Sequence, residues 1–240
     1  MNEHIVKSFT EQLDSLANCV AQMGGLVEAQ FANAIEAIAK RDARLAEGAI
    51  GTDERVDQLQ QSVEEQAVKV LALRQPMAVD LRTTLAAIRI ASELERIGDY
   101  AKNIGKRALI LNREPPIRLT QSLARMGRQA LTQLKTVLDA YSDHDAKAAK
   151  NVWAQDEEID ELYNSLFREL LTYMMEDPRT IGLCTHLLFI AKNIERAGDH
   201  ATNIAETVYH MSTGDYLRYD KRPKADVTST APLPSEPGTE

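Results

Sequence analysis

The side chains best placed to do chemistry in this chain are carboxylates, and they come in two matching sets. Glu95-Arg96-Ile97-Gly98-Asp99, followed by Asn103-Ile104, recurs 100 positions later as Glu195-Arg196-Ala197-Gly198-Asp199, followed by Asn203-Ile204. In each run Glu, Asp and Asn stand at i, i+4 and i+8, which on a helix sets three oxygen-bearing side chains in one axial row. Upstream, Asp53-Glu54-Arg55-Val56-Asp57 recurs 103 positions later as Asp156-Glu157-Glu158-Ile159-Asp160. Grouped carboxylates repel and raise one another's pKa values. Arginine can relieve them, and Arg55, Arg96 and Arg196 are at hand. So can a bound cation, and all-oxygen donors suit magnesium, calcium, manganese or iron. Two readings stay open at this point: a metal-binding cluster, and a solvated acidic face laced with salt bridges.

The elements that position these acids follow from periodicity. Ile5, Phe9, Leu16, Val20, Met23, Val27, Phe31, Ala34 and Ile38 recur at helical spacing and predict a first amphipathic helix over about 3–40. Asp42 is placed to cap a second helix, whose apolar face runs from Leu45 to Leu73. Pro76 opens a third, ending near Asn112. Pro115-Pro116 breaks the chain. The plan then repeats, with helices over about 117–141, 144–175 and from Pro178 to 212, and Gly214 as the stop. Met23-Gly24 and Met126-Gly127 belong to the same repeat, and Gly24-Gly25 within a helical pattern predicts close packing or a kink. The expected fold is all-α: two three-helix bundles in tandem, over 1–113 and 114–214, with a flexible Pro-containing tail over 215–240.

Helices two and three form a hairpin around Gln75-Pro76. Asp53 and Asp57 lie about as far before that turn as Glu95 and Asp99 lie after it, so antiparallel helices rising about 1.5 Å per residue bring the pairs to one height. The same holds for Asp156 and Asp160 with Glu195 and Asp199 around Pro178. Glu95, Asp99 and Asn103 lie nearly opposite the apolar stripe of their helix, while Asp53 and Asp57 flank that of helix two. This predicts a helix–helix seam for the acids.

Other chemistry is poorly represented. A ferritin-type di-iron centre uses a Glu followed three residues later by His, and that spacing does not occur in the sequence. His200 and His210 read as surface residues before ligands, and Cys184-Thr185-His186 is a weak metal fragment. Nothing resembles a phosphate-cradling glycine loop or a nucleophile with its base. A net charge of -8 argues against nucleic acid as a partner. No apolar run is long enough to span a membrane. The N-terminus has no signal-like segment, and Cys19 and Cys184 suit a reducing compartment, so the cytoplasm is the expected location.

The repeated segments, together with Asp80-Leu81-Arg82 after Pro76, resemble the PhoU family of bacterial phosphate-signalling regulators over about residues 5–213. The resemblance implies paired three-helix bundles. It implies Glu/Asp-x-x-x-Asp motifs that hold multinuclear iron or zinc clusters in some members, with manganese or magnesium as further candidates. Here those motifs fall on Asp53/Asp57, Glu95/Asp99, Asp156/Asp160 and Glu195/Asp199, with Asn103 and Asn203 continuing the rows. It implies a non-enzymatic negative regulator, a homodimer, that couples a phosphate ABC transporter ATPase to a sensor histidine kinase. The alternative is a carboxylate-cluster metal enzyme or metal store. One departure stands out: where the first copy has Asp80-Leu81-Arg82, the second has Gly182-Leu183-Cys184, so the two sites need not bind the same thing.

Overall fold

In the computed structural model the described residues are 2–115 and 119–217, with side chains from residue 9 onward. Pro116 at the expected boundary, and residues 218–240 of the expected tail, lie outside the described residues. All described secondary structure is helical, as the periodicity predicts. Expected helices one, three, four and six are continuous: α1 (Asn2–Lys40), α4 (Ala78–Leu111), α5 (Thr120–Ser142) and α8 (Ile181–Thr213). Expected helices two and five are each interrupted. The first becomes α2 (Ala43–Gly51) and α3 (Asp53–Arg74), and the second α6 (Ala146–Ala154) and α7 (Asp156–Glu176).

The caps explain where these rods begin. The Asp42 carboxylate accepts from the backbone N–H of Arg44 at 2.8 Å. Asp145 accepts from those of Lys147 and Ala148 at 2.9 and 3.0 Å. Each satisfies donors that a helix start leaves open. Pro178 opens a short 3-10 turn ahead of α8, and Gly214, at φ 83°, closes that helix in the left-handed region.

α1, α3 and α4 form one bundle, with α2 laid against α1 and α4; α5, α7 and α8 form the other, with α6 against α8. The bundles join through α1 on α5 and α4 on α8, and the buried apolar side chains from Leu16 to Met211 make a single cluster. The join is reciprocal. A Cβ at Gly24 would lie 2.7 Å from Leu138 Cδ2, and one at Gly127 would lie 2.4 Å from Ile35 Cδ1. Positions 24 and 35 map onto 127 and 138 in the repeat, so the same small-against-large contact is made twice across an approximate two-fold axis. Close packing is therefore the role of Gly24. Tyr100 and His200, also equivalent positions, meet with ring centroids 5.4 Å apart. α4 and α8 run antiparallel there: Glu93 meets Asn203, and Arg107 meets His186.

Candidate metal centres

The interruptions in the second and fifth rods create the acidic sites. A break frees carbonyls that an unbroken helix would pair, and a buried glutamine answers in each copy. Gln30 Nε2 donates to the carbonyl of Ala49 at 2.9 Å and to that of Gly98 at 3.3 Å. Gln133, its equivalent 103 positions on, donates to the carbonyl of Gln155 at 3.1 Å. Asp53 and Asp156 thereby become the first residues of α3 and α7, where the positive end of the helix dipole favours a carboxylate.

The glycine inside each Glu-Arg-x-Gly-Asp run lets the partner helix approach. A Cβ at Gly98 would lie 3.3 Å from Val56 on α3, and one at Gly198 would lie 2.8 Å from Ile159 on α7. That approach draws the acids of the two helices into one seam.

In the second copy Asp160, Glu195 and Asp199 each offer a carboxylate oxygen within 4.8 Å of the others. Asp156 is buried beside them and accepts from the Thr202 hydroxyl at 3.0 Å. Glu195 is also buried, and Lys192 Nζ lies 2.9 and 2.8 Å from its two oxygens. Burial pushes the Glu195 carboxyl above the usual range; Asp199 and Asp160 push the same way, and Lys192 opposes them.

The first copy keeps the acids and changes the cation. Lys102 Nζ is ion-paired with Asp53 and lies 3.6 Å from Asp99, and the hydrogen bond to Asp53 raises its pKa. Arg96 Nε lies 3.5 Å from Glu95. Glu95 is raised chiefly by burial and then by Asp99, and Asp57 by burial and then by Asp53. Thr202 occupies the position equivalent to Lys102. One copy thus ties its first aspartate with an ammonium and the other with a hydroxyl.

Not every expected ligand joins these groups. Asn103 is exposed, and Asn203 Nδ2 donates to Glu93 of α4 at 3.2 Å, away from the row. Arg55 and Arg196, expected as relief for the acids, are exposed; Lys102 and Lys192 do that work. His200 is not a surface residue: it is half-buried, hydrogen-bonded through Nδ1 to Glu93 and 3.2 Å from the Tyr100 hydroxyl. Cys184 is buried in the core. The lysines were legible only as an i+3 neighbour on each side of the motif, Asp99 to Lys102 and Lys192 to Glu195. The glutamines were legible only as a matched pair at the repeat offset.

The chemistry of the donors divides the copies. Three carboxylates with converging oxygens fit a hard cation in the second, with Lys192 held against Glu195 alone, whereas in the first Lys102 reaches across the seam to Asp53 and stands near Asp99.

The family model described as PhoU domain matches residues 20–108 and 123–208, one match in each copy. The chain belongs to the PhoU family. It is 56% identical over 230 residues to a phosphate-specific transport system accessory protein PhoU homolog of Caulobacter vibrioides, covering 95% of this chain and 100% of the relative. It is 49% identical to the homolog of Rhizobium meliloti, covering 95% and 96%. Among solved structures, PhoU from Pseudomonas aeruginosa superposes with a TM-score of 0.84 at 36% identity, covering 86% of this chain and all of that one. The phosphate transport system regulatory protein PhoU from Streptococcus pneumoniae gives 0.81 at 31% identity, covering 88% and 99%. Family membership accounts for the duplicated bundles.

Proposed function

We propose that this chain is an accessory protein of a phosphate transport system, acting without catalysis as a negative regulator of the phosphate-starvation response. In this reading it binds the transporter's ATPase and a sensor histidine kinase, in the cytoplasm and as a homodimer. Holding the kinase in its phosphatase state when phosphate is plentiful then requires only differential affinity for two partner states, a coupling of sites and not a reaction. The observation that carries it is whole-length similarity to relatives that bear the accessory name, at 56% identity across 95% of the chain. No described helix is long and apolar enough to cross a membrane, so contact with a transporter would run through its partners. The test is deletion of the gene with a phosphate-starvation reporter read in rich phosphate. The reporter is expected to switch on; continued repression, in a genome with no second copy, overturns the regulatory reading.

We further infer that Asp160, Glu195 and Asp199, with Asp156 behind them, hold a cation such as iron, zinc, manganese or magnesium. A bound cation supplies charge neutralisation, so the cluster folds without mutual repulsion. Glu195 and Asp199 bring their oxygens from α8 and Asp160 from α7, so occupancy tightens the α7–α8 hairpin. Nothing in this reading calls for turnover, which separates it from the metal-enzyme alternative.

A further inference from the structure

Asp80-Leu81-Arg82 plays no part in the carboxylate centres, and the second copy does not repeat it. Arg82, Leu85, Ala86 and Arg89 share one face of α4 and, with Thr207, His210 and Tyr216, line a cleft of about 110 Å³. Arg82 is half-buried and held in place: its Nε donates to the carbonyl of Met211 at 3.4 Å. The left-handed turn at Gly214 lies beside its guanidinium, where a Cβ would stand in ordinary contact at 3.6 Å from Cζ. Arg89, two turns further on, is exposed. Among the described residues neither guanidinium has a carboxylate within salt-bridge distance. Two uncompensated arginines share one small cleft in a chain of net charge -8.

The opposite end of the molecule shows how the fold disposes of such a cleft when it is not needed. The approximate two-fold axis maps Arg89 and Thr207 onto Phe189 and Arg107. There the pair is closed: Arg107 Cζ sits 4.2 Å over the Phe189 ring, with Nη1 3.2 Å from His186 Nδ1. In the register of the two helices the position of Arg82 is taken by Gly182, and Cys184, which alignment on the prolines would set there, instead matches the buried Thr84. Only one end therefore keeps both guanidiniums open.

We propose that this cleft binds a single tetrahedral oxyanion of the phosphate class. Guanidinium forks match the oxygen spacing of such anions and give charge-assisted, directional hydrogen bonds. The volume suits the anion itself and not a nucleotide. His210 supplies a reason for phosphate over sulfate. Its Nδ1 faces the carbonyl of Asp215 at 3.2 Å, so Nδ1 carries the hydrogen and Nε2 of the neutral ring is an acceptor. Hydrogen phosphate has a proton to donate to it, and sulfate has none. The choice of phosphate also agrees with the accessory role proposed above, while the cleft itself stands on its own geometry.

The experiment is titration of inorganic phosphate into the full-length purified protein by calorimetry, with sulfate run in parallel. Saturable one-site binding is expected, with phosphate preferred. Arg82→Gln and Arg89→Gln should each weaken it by about tenfold, as expected for loss of one charge-assisted contact. Arg107→Gln at the opposite end should leave it unchanged. Arg89 is exposed, so its variant keeps the fold and stays informative even where Arg82→Gln melts early. Absence of saturable phosphate binding overturns the proposal, as does binding indifferent to Arg89→Gln or sensitive to Arg107→Gln. Sulfate bound as tightly as phosphate overturns the assignment to phosphate. Binding found in vitro while the deletion strain stays repressed would uphold the cleft and defeat the regulatory reading separately.

Discussion

At the scale of single residues, each acidic centre holds a lysine and they differ in which acid it reaches: in the second, Lys192 pairs with Glu195. Lys102 pairs with Asp53 and stands near Asp99, and its equivalent Thr202 only donates a hydroxyl to Asp156. An ammonium and a divalent cation compete for the same oxygens. Lys102→Thr is therefore expected to add a cation site in the first copy, raising divalent-metal stoichiometry in equilibrium dialysis; an unchanged stoichiometry counts against the comparison. Glu195 gives a pH-dependent outcome. Its folded pKa is raised by burial, so its favourable contribution is full below the unfolded value of about 4.3 and is lost as pH rises through the folded pKa. Near neutral pH the ionised group costs stability in metal-free protein. Glu195→Gln mimics the protonated form and should melt higher than the parent in chelator at neutral pH, with the gap closing below about pH 4. A variant that melts lower in chelator at neutral pH would refute this. The sequence displayed the acids plainly, because they recur in fixed spacing. It did not display the lysines as partners, since an i+3 lysine is ordinary on any helix and only the fold shows which oxygen it reaches.

At the scale of elements, what matters is how closely helices pass. Gly127 faces Ile35, with three of its side-chain carbons within 3 Å of a built Cβ. Gly127→Ala should cost about 1–3 kcal/mol by overpacking, read as a lowered denaturation midpoint. Ile35→Ala should be destabilising alone, yet the double variant should be more stable than the two costs added together; strict additivity in a double-mutant cycle would show that the helices part freely there. Helix number, caps and turns were legible in the sequence: Asp42, Pro178 and Gly214 act where their chemistry places them. The interruptions at Thr52 and Gln155 were not, because neither residue is a helix breaker. What makes those breaks tolerable is Gln30 and Gln133 on another helix, a long-range compensation that local pattern cannot carry.

At the scale of the whole molecule, the repeat that the sequence states twice becomes one body, with a single apolar cluster running through both bundles. Two-copy organisation was legible from the offsets of 100 and 103. The antiparallel apposition of α4 and α8 was not, since nothing local says which surface of one bundle meets the other. Tyr100 against His200 is a contact that two identical copies cannot make at their two-fold axis. Two identical subunits related by a two-fold axis must put the same side chain on both sides of it. A fused pair is released from that rule, and each half can mutate without its twin. Here tyrosine faces histidine, and lysine at one end answers to threonine at the other, arginine to phenylalanine. The outline stays nearly symmetric while the chemistry acquires a direction, so a binding partner can tell one end of this protein from the other.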